Sequence, residues 1–262
     1  MSMAETILVA TDGSDAAEQA ARHAVRLADV CGAQVYALHV VSPRLLTFLE
    51  DHTDRTADTQ SLGTDAMQTV EQIADEAEIG LTTTVERGDP AETIMSHAEA
   101  QDVDLIAIGT RGRTGLPRYL FGSVAETVLR GATRPVLATQ VGQQAPSYDD
   151  ILVPIASEDG SRHVPQVAID LATQVGATVH LFHVIDRRLL ASARDLGPAR
   201  ADIESALEDR GRDLLASAAA PLETTGMDVK THFESGLPVS RLREVATTAS
   251  VDLVVIPSHR RR

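Results

Sequence analysis

The chain of 262 residues contains one cysteine, Cys31, and no tryptophan. A single cysteine cannot form an intrachain disulfide or supply a thiol cluster for a metal. Aromatic residues make up only 3% of a chain that is 43% hydrophobic, so its cores have to be built from aliphatic side chains. No apolar run approaches the length of a membrane span, and the first residues do not form a signal peptide. We therefore expect a cytoplasmic protein with no membrane partner.

Lysine is almost missing as well, since Lys230 is the only one among 23 basic residues. The formal net charge of −15 disfavours nucleic acid and anionic membranes as partners. Adaptation to a cytoplasm of high salt and the codon usage of a GC-rich genome would both produce this composition, and we favour the first.

Strand-like and helix-like segments alternate along the first half of the chain. We predict strands at Thr6–Ala10, Gln34–Val41, Leu81–Glu86, Val103–Ile108 and Pro135–Val141, and helices from Ser14 or Asp15 to Cys31, from Asp58 to Ile79, behind Asp89 and behind Gly122. Four β–α units and a last strand predict an α/β fold with a doubly wound parallel sheet in the order 3-2-1-4-5. Ligands bind such sheets at the carboxyl ends of the strands.

The second half repeats the first. Ile151-Leu-Val matches Ile7-Leu-Val, and Thr178–Ile185 matches Gln34–Val41, at an offset of 144 residues. Val251–Ile256 matches Val103–Ile108 at an offset of 148. Repetition on this scale indicates a duplication. We predict a first domain at 1–141, a linker at 142–149 and a second domain at 150–262.

A glycine loop follows the fourth predicted strand. It reads Gly109-Thr-Arg-Gly112, then nine residues, then Gly122-Ser123 at the start of a helix. Glycine allows close backbone approach to a ligand, Ser123 is a suitable N-cap, and helix starts attract phosphate. The alternative is that the glycines only shape a long connection. Neither a dinucleotide fingerprint nor a P-loop lysine motif is present.

This spacing resembles the ATP-binding loop of the universal stress protein family. The resemblance extends to Ile7-Leu-Val-Ala-Thr-Asp-Gly-Ser14, His39-Val-Val41, Gly88-Asp-Pro-Ala-Glu92 and Gly122-Ser-Val-Ala-Glu126. It implies two tandem Rossmann-like domains of the adenine nucleotide alpha hydrolase type. It also implies a role in stress response, with ATP as ligand and Mg²⁺ as an ion that can accompany it. The implied contacts are Ala10, Thr11, Asp12, Val40, Gly109, Thr110, Arg111, Gly112, Gly122, Ser123 and Val124.

Asp12 has two interpretations. Its carboxylate can accept hydrogen bonds from ribose hydroxyls, as acidic residues do in other doubly wound nucleotide sites. It can also be a turn former that bonds its own backbone. In the second repeat Ala156 replaces it, while Pro257 and Arg260 replace Gly109 and Gly112. This joint loss favours a functional Asp12 and predicts that only the first domain binds ATP.

The second half also stops early relative to the first. Residues equivalent to Gly115–Val141 are missing, so we expect a domain truncated before its last helix and strand, whether the gene ends there or the chain was cut. Its fourth strand would then be an apolar edge, and we expect the other half or another chain to cover it, with a homodimer as the favoured solution.

No catalytic set and no metal site emerge from the sequence. His39 and His183 occupy equivalent positions and are expected to be packed, hydrogen-bonded side chains rather than metal ligands. An enzyme is therefore the less favoured interpretation. The alternatives to an ATP-binding signalling protein are a nucleotide-free scaffold with an unknown protein partner, or a slow ATP-hydrolysing or adenylating enzyme.

Overall fold

The computed structural model describes residues 3–43, 59–110, 122–141, 147–155, 164–186, 188 and 199–257, without the side chains of 59–62, 199 and 200. The chain divides between Pro146 and Ser147 into two compact units. We call residues 2–146 the first unit and residues 147–262 the second unit.

The first unit is a five-stranded, wholly parallel sheet in the order β3-β2-β1-β4-β5. This is the predicted doubly wound order, with β3 and β5 at the edges. Its elements are β1 (Thr6–Ala10), α1 (Asp15–Cys31), β2 (Gln34–Val41), α2 (Thr59–Glu76), β3 (Leu81–Arg87), α3 (Pro90–Ala100), β4 (Leu105–Gly109), α4 (Ser123–Gly131) and β5 (Val136–Thr139).

Helices cover both faces of this sheet. On one face, α3 and α4 bury a cluster that includes Leu8, Leu38 and Ile106 of the three central strands. On the other face, α1 packs against β1 and β4, and α2 packs against β2 and β3. Helix α1 can approach closely because the residues it buries on the sheet are mostly alanine, at positions 16, 17, 20, 21, 24 and 28. The aliphatic core expected from the composition is therefore observed.

Two helices of the first unit begin where their capping residues predict, and α1 also ends at its predicted glycine. The Ser14 side chain accepts a hydrogen bond from the N–H of Ala17 at the start of α1, and Gly32 ends α1 in the left-handed conformation, with φ 69°. The Asp89 carboxylate accepts from the N–H groups of Ala91 and Glu92, at 3.1 and 3.2 Å, at the start of α3. These contacts satisfy N–H groups that have no partner inside a helix.

Several predicted boundaries were wrong. Helix α2 ends at Glu76 rather than Ile79, because the chain turns back through Glu78 with a positive φ of 57°. Strand β4 begins at Leu105 rather than Val103 and includes Gly109. Strand β3 continues to Arg87, and β5 covers only Val136–Thr139. Asp58, the predicted start of α2, lies outside the described residues.

The second unit has a four-stranded parallel sheet within the described residues, in the order β8-β7-β6-β9. Its elements are β6 (Asp150–Pro154), α5 (Gln166–Val175), β7 (Thr178–Asp186), α6 (Ala199–Thr224), β8 (Val229–Gly236), α7 (Pro238–Thr248) and β9 (Leu253–Val254). The order repeats the first four strands of the first unit, as the duplication predicts. Strand β9 is shorter than the predicted Val251–Ile256, since only two residues pair with β6.

Candidate functional site

Parallel pairing of β1 with β4 brings two predicted ligand segments to one edge of the first sheet. Ala10 lies opposite Ile108, so the turn after β1 and the chain after β4 leave the sheet side by side. Val40 lies near the carboxyl end of β2, the other neighbour of β1. Val40 is half-buried and packs against the core cluster that contains Ala10. The carboxyl ends of three neighbouring strands thus form one edge.

The turn after β1 holds the Asp12 side chain in a defined orientation. The N–H of Ser14 donates to Oδ1 of Asp12 at 3.0 Å, and the N–H of Gly13 donates to Oγ1 of Thr11 at 3.2 Å. Asp12 is therefore a turn former, one of the two interpretations of this residue. Its side chain is nevertheless exposed at the edge, and a carboxylate has further lone pairs with which to accept hydrogen bonds.

Gly109 lies against the start of α1. A Cβ atom on Gly109 would lie 2.5 Å from the carbonyl carbon of Ala16 and 2.6 Å from the nitrogen of Ala17. Real Cβ atoms do not approach backbone so closely, so this position requires glycine for packing. The sequence suggested a glycine that lets a ligand approach, and the packing role was missed because it depends on a contact between distant elements.

Thr110, directly after β4, forms hydrogen bonds to β5 and to the start of α4. Its N–H and Oγ1 both donate to the carbonyl of Thr139, at 2.8 and 2.9 Å, which joins the end of β4 to β5. Its own carbonyl accepts from the N–H of Gly122 at 2.7 Å. The start of α4 is thereby held at the end of β4. Arg111 and Gly112 lie outside the described residues.

The start of α4 differs from the prediction. Gly122, not Ser123, is the N-cap residue, and Ser123 is the first residue of the helix. Gly122 has no side chain to accept a hydrogen bond, whereas Ser14 and Asp89 cap α1 and α3. The first-turn N–H groups, which include those of Ser123 and Val124, therefore receive no side-chain cap from this position. Such N–H groups, together with the helix dipole, favour an anion.

The second unit preserves the end of its first strand, but Pro257 stands at the position equivalent to Gly109. The N–H of Ile155 donates to the carbonyl of Phe182 at 2.7 Å, as the N–H of Thr11 donates to that of Leu38 at 3.0 Å. After β9 stands Pro257, which has no N–H to offer a phosphate. Ala156 and Arg260 lie outside the described residues.

Comparison with known proteins identifies the family. The sequence model of the universal stress protein family matches residues 3–140 and again residues 147–262. The chain belongs to the universal stress protein family. The double match shows a tandem member, in which each compact unit carries one copy of the family's domain.

Individual relatives agree with this assignment. A universal stress protein of Methanocaldococcus jannaschii is 39% identical over 137 residues, which are 51% of this chain and 81% of that protein. A universal stress protein of Mycolicibacterium smegmatis is 29% identical over 274 residues and covers 97% of this chain and 87% of its own. The crystal structure of a universal stress protein from Archaeoglobus fulgidus shares the fold, with a TM-score of 0.69 at 20% identity, over 96% of this chain and 86% of that chain.

A partly buried polar cluster in the second unit was not predicted. Nε2 of His180 lies 2.6 Å from Oδ1 of Asp150, and its Nδ1 lies 2.9 Å from Nε2 of His232. A carboxylate only accepts, so Nε2 of His180 donates to Asp150. In a neutral His180 ring, Nδ1 then accepts from Nε2–H of His232. Burial, and secondarily the neighbouring His180, lowers the pKa of His232. The three residues come from three strands, so no sequence spacing indicated the contact.

Neither a metal site nor a membrane segment is found in the part of the chain that the structure describes. Within those ranges, no three histidine, cysteine or acidic side chains are grouped so that they could hold a metal ion. Among the same residues, no helix combines the length and apolar character needed to cross a membrane.

The contact at Gly109 predicts the result of a substitution. Gly109→Ala should lower the free energy of unfolding of the first unit by about 1–3 kcal/mol, because the new methyl group overlaps the α1 backbone. Gly80→Ala is the matched control, since a Cβ on Gly80 would have no atom within 4 Å. Urea unfolding of both variants checks this prediction, and equal stability of the two would contradict it.

Proposed function

We propose that this universal stress protein binds ATP in its first unit and acts in stress response or signalling in the cytoplasm. The observation that carries the proposal is a start of α4 that receives no side-chain cap from Gly122, on the same sheet edge as the exposed carboxylate of Asp12. An anion-attracting helix start and an acceptor for hydroxyl groups at one sheet edge suit a nucleotide, which has phosphates at one end and a ribose next to them.

Each part of ATP has candidate contacts in this arrangement. The first-turn N–H groups of α4, with Arg111 and Gly112 as the family resemblance implies, would hold the phosphates, and Mg²⁺ can accompany them. Asp12 would accept hydrogen bonds from the ribose hydroxyls. The backbone of Val40, by the same resemblance, would contact adenine. Ala10 and Gly109 end β1 and β4, and Thr11 and Thr110 follow them directly, so these four residues would form the floor of the site.

The proposal predicts one ATP per chain. Asp12→Ala and Gly112→Val should abolish binding, the first by removing the ribose acceptor and the second by blocking close backbone approach. Asp75→Ala removes an exposed carboxylate of α2 and should leave binding unchanged. Calorimetric titration with Mg-ATP measures both affinity and stoichiometry. Two equivalent sites per chain, or full affinity in Gly112→Val, would refute the assignment.

A regulatory role for ATP is favoured over rapid catalysis. Lys230 is the only lysine in the chain and lies in β8 of the second unit. The first unit therefore has no lysine with which to neutralise a transferring phosphoryl group, as P-loop enzymes do. A nucleotide-free scaffold and a slow ATP-hydrolysing or adenylating enzyme remain the alternative functions.

We accordingly expect slow hydrolysis. Multiple-turnover assays with Mg-ATP should give rates far below ~10 per second, the median turnover of enzymes. The Asp12→Ala variant provides the background rate, because it should not bind ATP. A wild-type rate near the enzyme median, absent in that variant, would show an ATP-using enzyme instead.

We also propose that the chain forms a homodimer through the open side of the second unit. In the first unit, Ala91 and Ile108 are 4% and 5% exposed and belong to a core cluster that includes residues of α4. Their repeat equivalents Val239 and Ile256 are 70% and 65% exposed. Strand β9 is also the last strand of its sheet within the described residues. Exposed apolar faces and open strand edges are usually covered by another chain.

Charged substitutions on this face test the homodimer. Val239→Glu and Ile256→Glu should each give a monomer in light scattering coupled to size exclusion, because burying an unpaired carboxylate opposes association. Ile203→Glu alters another exposed apolar residue, on α6, and should leave the dimer intact. A monomeric wild-type protein would contradict the proposal.

A further inference from the structure

Both repeats contain a buried histidine that bonds the end of their first strand. His39 of β2 and His183 of β7 are 9% and 8% exposed. Nδ1 of His39 lies 2.8 Å from the carbonyl oxygen of Thr11, and Nδ1 of His183 lies 2.8 Å from that of Ile155. A carbonyl only accepts, so Nδ1 carries the hydrogen and donates it in both cases.

A helix glycine makes room for each histidine ring. A Cβ on Gly63 of α2 would lie 3.1 Å from Cδ2 of His39, and one on Gly211 of α6 would lie 2.8 Å from Cδ2 of His183. Both positions are also too close to a second side chain, at 2.8 Å from Cγ2 of Val85 and 2.5 Å from Cε2 of Phe233 respectively. Glycine weakens a helix interior. Its presence at both positions, 148 residues apart, leaves space in each unit that the histidine ring and the second side chain occupy.

In the first unit, this bond anchors the turn that carries Asp12. The N–H of Thr11 donates to the carbonyl of Leu38 at 3.0 Å, and its carbonyl accepts from His39. The N–H and the carbonyl of Thr11, the residue directly before Asp12, are thus both hydrogen-bonded to β2. The same histidine directly precedes Val40 in β2. One side chain therefore connects the two strand ends that would hold ribose and adenine.

We propose that His39 is a positioning residue for the nucleotide site of the first unit. It does not contact the ligand. It holds the Thr11 carbonyl so that the Asp12 turn keeps one orientation relative to the backbone of Val40. The inference rests on the proposed binding of ATP. His183 makes the equivalent hydrogen bond, to the carbonyl of Ile155, in the second unit. The residue after Ile155 is Ala156 rather than an aspartate, so there the bond supports only the fold.

The duplication supplies the matched control. His39→Leu and His183→Leu each remove one buried hydrogen bond of equal length, and both should lower the melting temperature. Only His39→Leu should weaken Mg-ATP binding in calorimetry, by about tenfold, because the anchored turn is lost. His39→Asn should recover most of the affinity, since the asparagine amide nitrogen occupies the place of Nδ1. His39→Gln should not, because its amide lies farther out, near the place of Nε2.

The outcomes separate this inference from the ATP proposal. If the wild-type chain binds no ATP, the proposed function is wrong and the inference falls with it. If wild type binds ATP and His39→Leu binds equally well, or both leucine variants lose affinity equally, His39 is only structural. Equal affinity of His39→Asn and His39→Gln for Mg-ATP would likewise overturn the inference. This comparison does not need His39→Leu, so it remains informative if that variant does not fold.

Discussion

The candidate site depends on the parallel pairing of β1 with β4. This pairing sets the Asp12 turn beside the end of β4, and it requires Gly109 because the start of α1 occupies the space of a side chain there. Thr110 then holds the start of α4 against the same edge through Gly122. The edge therefore depends on close approach between backbone segments. A larger residue at position 109 would push α1 and β4 apart.

The two repeats separate structural features that belong to the fold, because both units have them, from features that suit a ligand. The histidine bond to the first strand end and the glycine that seats the ring occur in both units. The acidic residue of the turn occurs only in the first repeat. The second unit, in turn, exposes apolar residues at Val239 and Ile256 that its counterpart buries. These differences support our proposals of a nucleotide site in the first unit and of an association surface in the second.

Much of the fold could be predicted because its signals are local or repeated. Ser14, Gly32 and Asp89 lie at helix ends as expected, and the duplication located the strands independently of their composition. Gly122 rather than Ser123 is the N-cap of α4, and this was missed because both residue types are acceptable there. The carbonyl of Gly122 accepts the first helical hydrogen bond, from the N–H of Glu126. The packing role of Gly109 and the cluster around His180 were also missed, because they join elements distant in the chain.

The central claim is that the first unit holds ATP between the start of α4 and the turn at Asp12. A crystal structure of the protein with Mg-ATP tests it most directly. The account predicts one nucleotide per chain, with phosphates within hydrogen-bond distance of the N–H groups of Ser123 or Val124 and a ribose hydroxyl on the Asp12 carboxylate. Nucleotide bound elsewhere, or an empty edge at saturating ATP, would contradict it.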